Sequence, residues 1–195
     1  MKLNDAGVSS RIDIDGSVTG NFTLDIAGSG NSITVEAGTD LKTSLIEMRG
    51  HNIAIHIGAK CMLQGRFQCR SRDAVLRIGA RTTAMNAFVS LHEPGTIAIG
   101  EDCMFSSEVR MDVSDMHSIL DRETGARINP ARDIAIGDHV WLAHGVMVGK
   151  GATIGSGAVI GAKSLVLGTI PENVIAAGTP ARVLRENVEW RRQRL

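Results

Sequence analysis

Tyrosine is absent from this 195-residue chain, and four Phe with two Trp are its only other large aromatic residues, 3% in all. A core filled by aromatic wedges is thereby excluded, and small and β-branched aliphatic side chains must do the packing. An excess of either charge is also missing. Lys plus Arg and Asp plus Glu are 21 each, so no global field draws the chain to nucleic acid or to an anionic membrane surface. Any anion site has to be local. Three cysteines, Cys61, Cys69 and Cys103, form an odd set without a Cys-x-x-Cys pair, which points to free thiols in a reducing compartment rather than to a disulfide frame. No apolar run approaches the roughly 18 residues of a membrane span, and the start, MKLNDAGVSSRIDIDG, has no signal-peptide apolar region, so a cytoplasmic protein is expected.

What is present is a repeat. Aliphatic residues recur every sixth position at Ile136, Leu142, Val148, Ile154, Ile160 and Val166, with Gly, Ala or Leu usually following. The place two before each next repeat, at Val140, Val146, Ala152, Ala158, Ser164 and Ile170, is small or branched, as a side chain at a cramped corner would be. A six-residue period this rich in Gly and Val is not helical. Upstream, aliphatic-x-aliphatic pairs recur at Ile12/Ile14, Ile33/Val35, Ile55/Ile57, Leu76/Ile78, Ile97/Ile99 and Ile134/Ile136. Successive pairs lie 21 or 22 residues apart, the length of one three-sided coil of a β-solenoid, except that the last interval is 37. An excursion of roughly 16 residues must therefore leave the coil, over about Ser114–Arg132. One solenoid domain is expected over 1–180. Beyond Pro171 the register stops, and the charged segment 181–195 is expected to be a short helical cap, with Val183, Leu184, Val188 and Trp190 toward one side.

The registered hexapeptides resemble the left-handed parallel β-helix of the hexapeptide-repeat acyltransferases, and the handedness is taken from that resemblance. From Ala84 to Asn187 the order and spacing are similar to the sugar O-acetyltransferases of this family, and SDMHSILDRETG looks closest to the polysaccharide-modifying branch. The resemblance implies acetyl-CoA as acyl donor, a carbohydrate hydroxyl as acceptor, and a homotrimer with sites between subunits. His117 falls on the position of the family's general base. Moving an acetyl group from a thioester to a hydroxyl requires that the hydroxyl lose its proton as it attacks, and a neutral imidazole suits that task. Asp115 or a nearby backbone carbonyl is the candidate to orient the ring. Asn86 matches the asparagine that holds the acceptor, and Trp141 the tryptophan beside the acetyl-CoA channel. Ala143, Gly161 and Ala162 fall where small residues let the donor approach backbone amides, which would stabilise the developing oxyanion. Arg182 and Arg185 match the residues that meet the nucleotide phosphates. The family often has a lysine at the position of Gly168, and Lys163 is the candidate substitute.

Three other readings compete. The γ-class carbonic anhydrases share the helix and bind zinc through three histidines; His144 matches one ligand, but Gly149 stands where a second belongs, so a three-histidine site lacks a ligand. GVMVGKG lacks the spacing and final hydroxyl of a phosphate-binding loop. A non-catalytic solenoid scaffold explains the repeats but neither the histidine-bearing excursion nor the arginine-bearing tail.

Overall fold

A computed structural model describes residues 1–194, and among them every regular element is a β-strand. The strands wind into a three-faced parallel solenoid. The first face stacks eight short strands from Arg11–Ile14 through Ile134–Ile136 to Thr169–Ile170. The second face carries Met104–Phe105, Trp141–Leu142, Val159–Ile160 and Ile175–Gly178. Lys2–Val8, Thr23–Ser29 and Ser44–His51 start the third face, which ends in Arg110–Asp112, Met147–Val148 and Leu165–Val166. Two long strands, Met62–Cys69 and Thr83–Leu91, bend across the corner between the second and third faces.

Each short strand shows alternate residues to the interior, and the six-residue period returns the same side chain to the axis on each face. Ile136, Leu142, Val148, Ile154, Ile160 and Val166 are all buried, as are the corner residues Val140, Val146, Ala152, Ala158 and Ser164; Ile170, expected at a corner, is buried instead on the first face in register with Ile154. A larger residue at these corners would collide with the chain, while a polar one must satisfy itself locally. Ser164 does so by donating to Gly161 O (2.6 Å) and accepting from Gly178 N–H (3.0 Å). Burying each aliphatic side chain contributes about 1.5–3 kcal/mol, which is how a core almost free of aromatics is held together.

The expected helical cap is not there. Gly178 (φ 109°) begins a reversal, and Ala181–Arg185 runs back as a strand antiparallel to Ile175–Gly178. The last coil offers an unpaired ladder edge, and a hairpin satisfies it with backbone hydrogen bonds. A helix of about fourteen residues would leave that edge bare and is itself marginal in water. The segment 186–194 then follows without regular structure. Leu195 of the expected cap lies outside the described residues.

Candidate active site

The excursion leaves the edge between the third and first faces after Asp112 and rejoins at Ile134, and most of it is exposed. One buried side chain organises it. Asn129 Nδ2 donates to Asp115 Oδ2 and to His117 O, both at 2.8 Å, while its Oδ1 accepts the Ile119 N–H at 2.6 Å. Lys150, from the next coil, donates to Asp115 Oδ2 (2.5 Å) and Asn129 O (3.1 Å). The Lys150 and Asn129 bonds hold the Asp115 carboxyl below the usual carboxylate range. Asp115 therefore anchors the loop instead of the imidazole: its carboxylate is engaged elsewhere, and its carbonyl accepts the His117 backbone N–H (2.7 Å). The ring of His117 is exposed and has no hydrogen-bond partner among the described residues. Asn129 and Lys150 were not singled out by sequence reasoning, because a lone amide and a repeat-borne lysine carry no spacing signal.

Asn86 sits elsewhere. It turns the corner between the second and third faces with φ 58°, at the bulge where Met62–Cys69 and Thr83–Leu91 shift register, and it is exposed. One coil on, Glu108 N–H donates to Asn86 O (3.2 Å); in the coils after that come Ala143, His144 and then Lys163. His144 Nδ1 meets Ser107 Oγ at 2.9 Å, and Lys163 Nζ donates to Glu108 Oε2 at 3.1 Å. Trp141 is half-buried in the second-face column, directly between Met104 and Val159. Asn86, Ala143, Gly161, Ala162 and Lys163 thus gather along one edge of the third face, Trp141 stands on the adjoining second face, and His117 projects from the other edge of the third. Five extended residues, Ala87–Leu91, separate the two edges, roughly 16 Å of strand.

The amides near the small residues divide into two sets. Those of Ala143 and Gly161 already donate to Ile160 O (3.0 Å) and Ala176 O (2.8 Å), so they are not free to meet a ligand. The next amides along, of His144 and Ala162, have no backbone acceptor among the described residues. At the foot of the solenoid, exposed Arg182 lines a cleft with Leu167, Gly168, Thr169 and Ile170. Arg132 and Lys150 approach Gly168 from the neighbouring recess. Arg132 and Arg182 bring positive charge to Gly168, whereas Lys150 is paired with Asp115 in the same recess and Lys163 with Glu108 at a different corner. Arg185 is exposed beside Ile175. His139 and His144 stand at different corners with separate partners, Asp102 and Ser107.

Comparison with known proteins now bears on this arrangement. Residues 133–168 match the model of the bacterial transferase hexapeptide family (six repeats). The polysialic acid O-acetyltransferase of Neisseria meningitidis is 34% identical over 192 residues, covering 97% of this chain and 89% of the relative. The chain belongs to the hexapeptide-repeat O-acetyltransferases. A second polysialic acid O-acetyltransferase, of Escherichia coli O1:K1, is 38% identical over 140 residues, and there the match spans 72% of this chain but only 45% of the relative. Among solved structures, the polysialic acid O-acetyltransferase OatWY superposes with a TM-score of 0.92 at 30% identity over 100% of this chain and 93% of that one. The fold is accordingly the left-handed β-helix that the hexapeptides resembled. This O-acetyltransferase has, among its described residues, no helix long and apolar enough to cross a membrane.

Proposed function

We propose that this acetyltransferase moves an acetyl group from acetyl-CoA to a hydroxyl of an acidic polysaccharide, with His117 as general base. The near-full-length match to a polysialic acid O-acetyltransferase carries the acceptor class. His117 takes the acceptor's proton as the hydroxyl, held by Asn86, attacks the thioester carbonyl; the C–S bond then breaks, and the departing coenzyme A sulfur takes that proton back from His117. The free amides of His144 and Ala162 point to the donors for the developing oxyanion, one residue beyond Ala143 and Gly161. Arg182 and Arg185, with Arg132 supplying charge at Gly168, are the residues that would hold the nucleotide phosphates, since guanidinium forks suit phosphate oxygens.

The single observation that shapes this reading is the separation of Asn86 and His117 across the third face. A hydroxyl cannot touch both in one chain, so the excursion of one chain must meet the Asn86 edge of another. A homotrimer, with three such boundaries, supports this reading in the way a monomer cannot.

The test is direct. His117→Ala is expected to lower turnover with acetyl-CoA and oligosialic acid by roughly 10² to 10⁴. Coenzyme A binding and the thermal midpoint should stay near wild type, because the residue is outside the stacked core. A variant within a few-fold of wild-type turnover would remove His117 as the base.

A further inference from the structure

The C-terminal tail leaves the repeat and then returns to it. After the strand Ala181–Arg185 it climbs the solenoid: Val188 N–H donates to Asn173 O (2.9 Å), Trp190 reaches the coil of His139, and Arg192 reaches one and two coils further. Arg192 donates to Asp102 Oδ1 (3.0 Å), Cys103 O (2.9 Å) and Thr83 Oγ1 (3.0 Å). Trp190, only 6% exposed, lies flat on the His139 ring, with centroids 4.0 Å apart and planes 8° from parallel. Its indole N–H donates to His139 O (2.8 Å), and its carbonyl meets His139 Nε2 (3.0 Å). Asp102 closes the clamp by taking His139 Nδ1 at 2.7 Å as well as Arg192.

What this clamp presses against is Trp141, whose ring centroid is 5.9 Å from that of Trp190 with the planes tilted by 48°. The Nε1 of Trp141 is buried and has no acceptor among the described residues. An orphaned buried donor costs about 1–3 kcal/mol, and an indole free to choose its rotamer would turn that edge to an acceptor or to water. Packing against Trp190, not hydrogen bonding, is therefore what selects the orientation of Trp141.

We infer that Trp190 is a positioning residue for the donor site: held by His139, Asp102 and Arg192, the tail is a strap that sets the plane of the Trp141 indole and with it the width of the channel that Trp141 walls. The inference rests on the reading of Trp141 as that wall.

Four variants separate the possibilities: Trp190→Ala, Trp190→Phe, Asp102→Asn and Trp141→Ala, each assayed by calorimetric titration with coenzyme A, by kcat and KM for acetyl-CoA, and by thermal midpoint. Trp190→Ala is expected to raise the coenzyme A Kd and the acetyl-CoA KM by about 5- to 30-fold with kcat within about threefold, the split that loss of ground-state positioning gives. Trp190→Phe, which keeps a flat ring in the stack, should return both constants to within about threefold of wild type. Asp102→Asn removes the charge and one of the two acceptor oxygens that hold His139 and Arg192 while keeping both indoles, and should shift the constants in the same direction as Trp190→Ala but by less. Only Trp141 emits in the two Trp190 variants, since the chain has two tryptophans. Its emission should move to the red in Trp190→Ala relative to Trp190→Phe. If Trp190→Ala and Asp102→Asn lower the thermal midpoint yet leave the coenzyme A Kd within twofold, while Trp141→Ala weakens it, the strap is only a cover and the inference is overturned. Identical emission in the two Trp190 variants overturns it equally. A Trp141→Ala protein that binds coenzyme A as wild type does would instead refute the donor-channel reading itself, and the strap's role with it.

Discussion

Glu47 is the one acidic or basic side chain that is buried among the described residues. It lies on the outer side of the third face, yet is 3% exposed, because Gln68, Arg70 and Arg49 from its own and the next coil close over it. Burial alone would push its pKa up, but the Gln68 and Arg70 hydrogen bonds and the charges of Arg70 and Arg49 outweigh burial and hold it below the ordinary glutamate range. A carboxyl depressed on folding contributes stability that is full above the unfolded value, about 4.3, and that is lost as pH falls through the lower folded value. Glu47→Gln is expected to cost roughly 1–3 kcal/mol at pH 7. In urea titrations the gap between wild type and variant should narrow as the pH is taken from 7 to 3. A gap of the same size at both ends would mean the charge of Glu47 is irrelevant. In the three cysteines burial wins, over opposing hydrogen bonds at Cys61 and Cys103 and unopposed at Cys69: it raises the Cys61 thiol to about 11 and those of Cys69 and Cys103 to about 12, which leaves them inert as nucleophiles.

At the scale of the element, the third face opens with long strands that stack Gly7, Gly28 and Gly50 in register. Gly28 has φ 95°, and a Cβ built there would stand 1.8 Å from Gly50 O. Both the backbone conformation and the closeness of the next coil demand glycine. Gly28→Ala should therefore destabilise the fold by about 3 kcal/mol or more, whereas Gly16→Ala, at a corner with nothing within 4 Å, should be nearly neutral. Thermal unfolding of the pair decides it: comparable midpoints would show that the coils separate to admit a methyl group. The final hairpin follows the same logic of edges. The strand Ala181–Arg185 exists because the last coil's ladder needs a partner, and once it reverses, the residues beyond are aimed back up the solenoid, where Trp190 finds His139.

For the whole molecule, the proposed site is complete only across a boundary between two chains. Light scattering is expected to give three times the chain mass of 20.7 kDa. A sharper measurement mixes subunits. His117→Ala and Asn86→Ala proteins, each almost inactive, should regain a substantial fraction of wild-type turnover when unfolded together and refolded, since some boundaries then join an intact His117 to an intact Asn86. Absence of any regain, with mixed trimers demonstrated by mass, would place both residues in one chain's site and refute the shared arrangement.

The six-residue period sets the length of one side, and the interval of 21 or 22 residues between aliphatic pairs holds three such sides, so together they call for a three-sided solenoid. The break from 21 or 22 to 37 residues located the excursion for the same reason, and the chemistry proposed for that loop rests on the motif around His117. The tail departs from the expected helix, since Val183, Leu184 and Val188 fit a helical face as well as a strand. Only the unpaired edge of the last coil, which no local pattern records, decided for the strand. Nor could spacing show that Asp115 is taken up by Lys150 and Asn129, that Lys163 is tied to Glu108 while Arg132 and Arg182 reach Gly168, or that Asn86 and the excursion of His117 stand at opposite edges of the third face. Those pairings join residues from different coils or corners. Stacking of the coils determines them, whereas the sequence period registers only what recurs along a single turn.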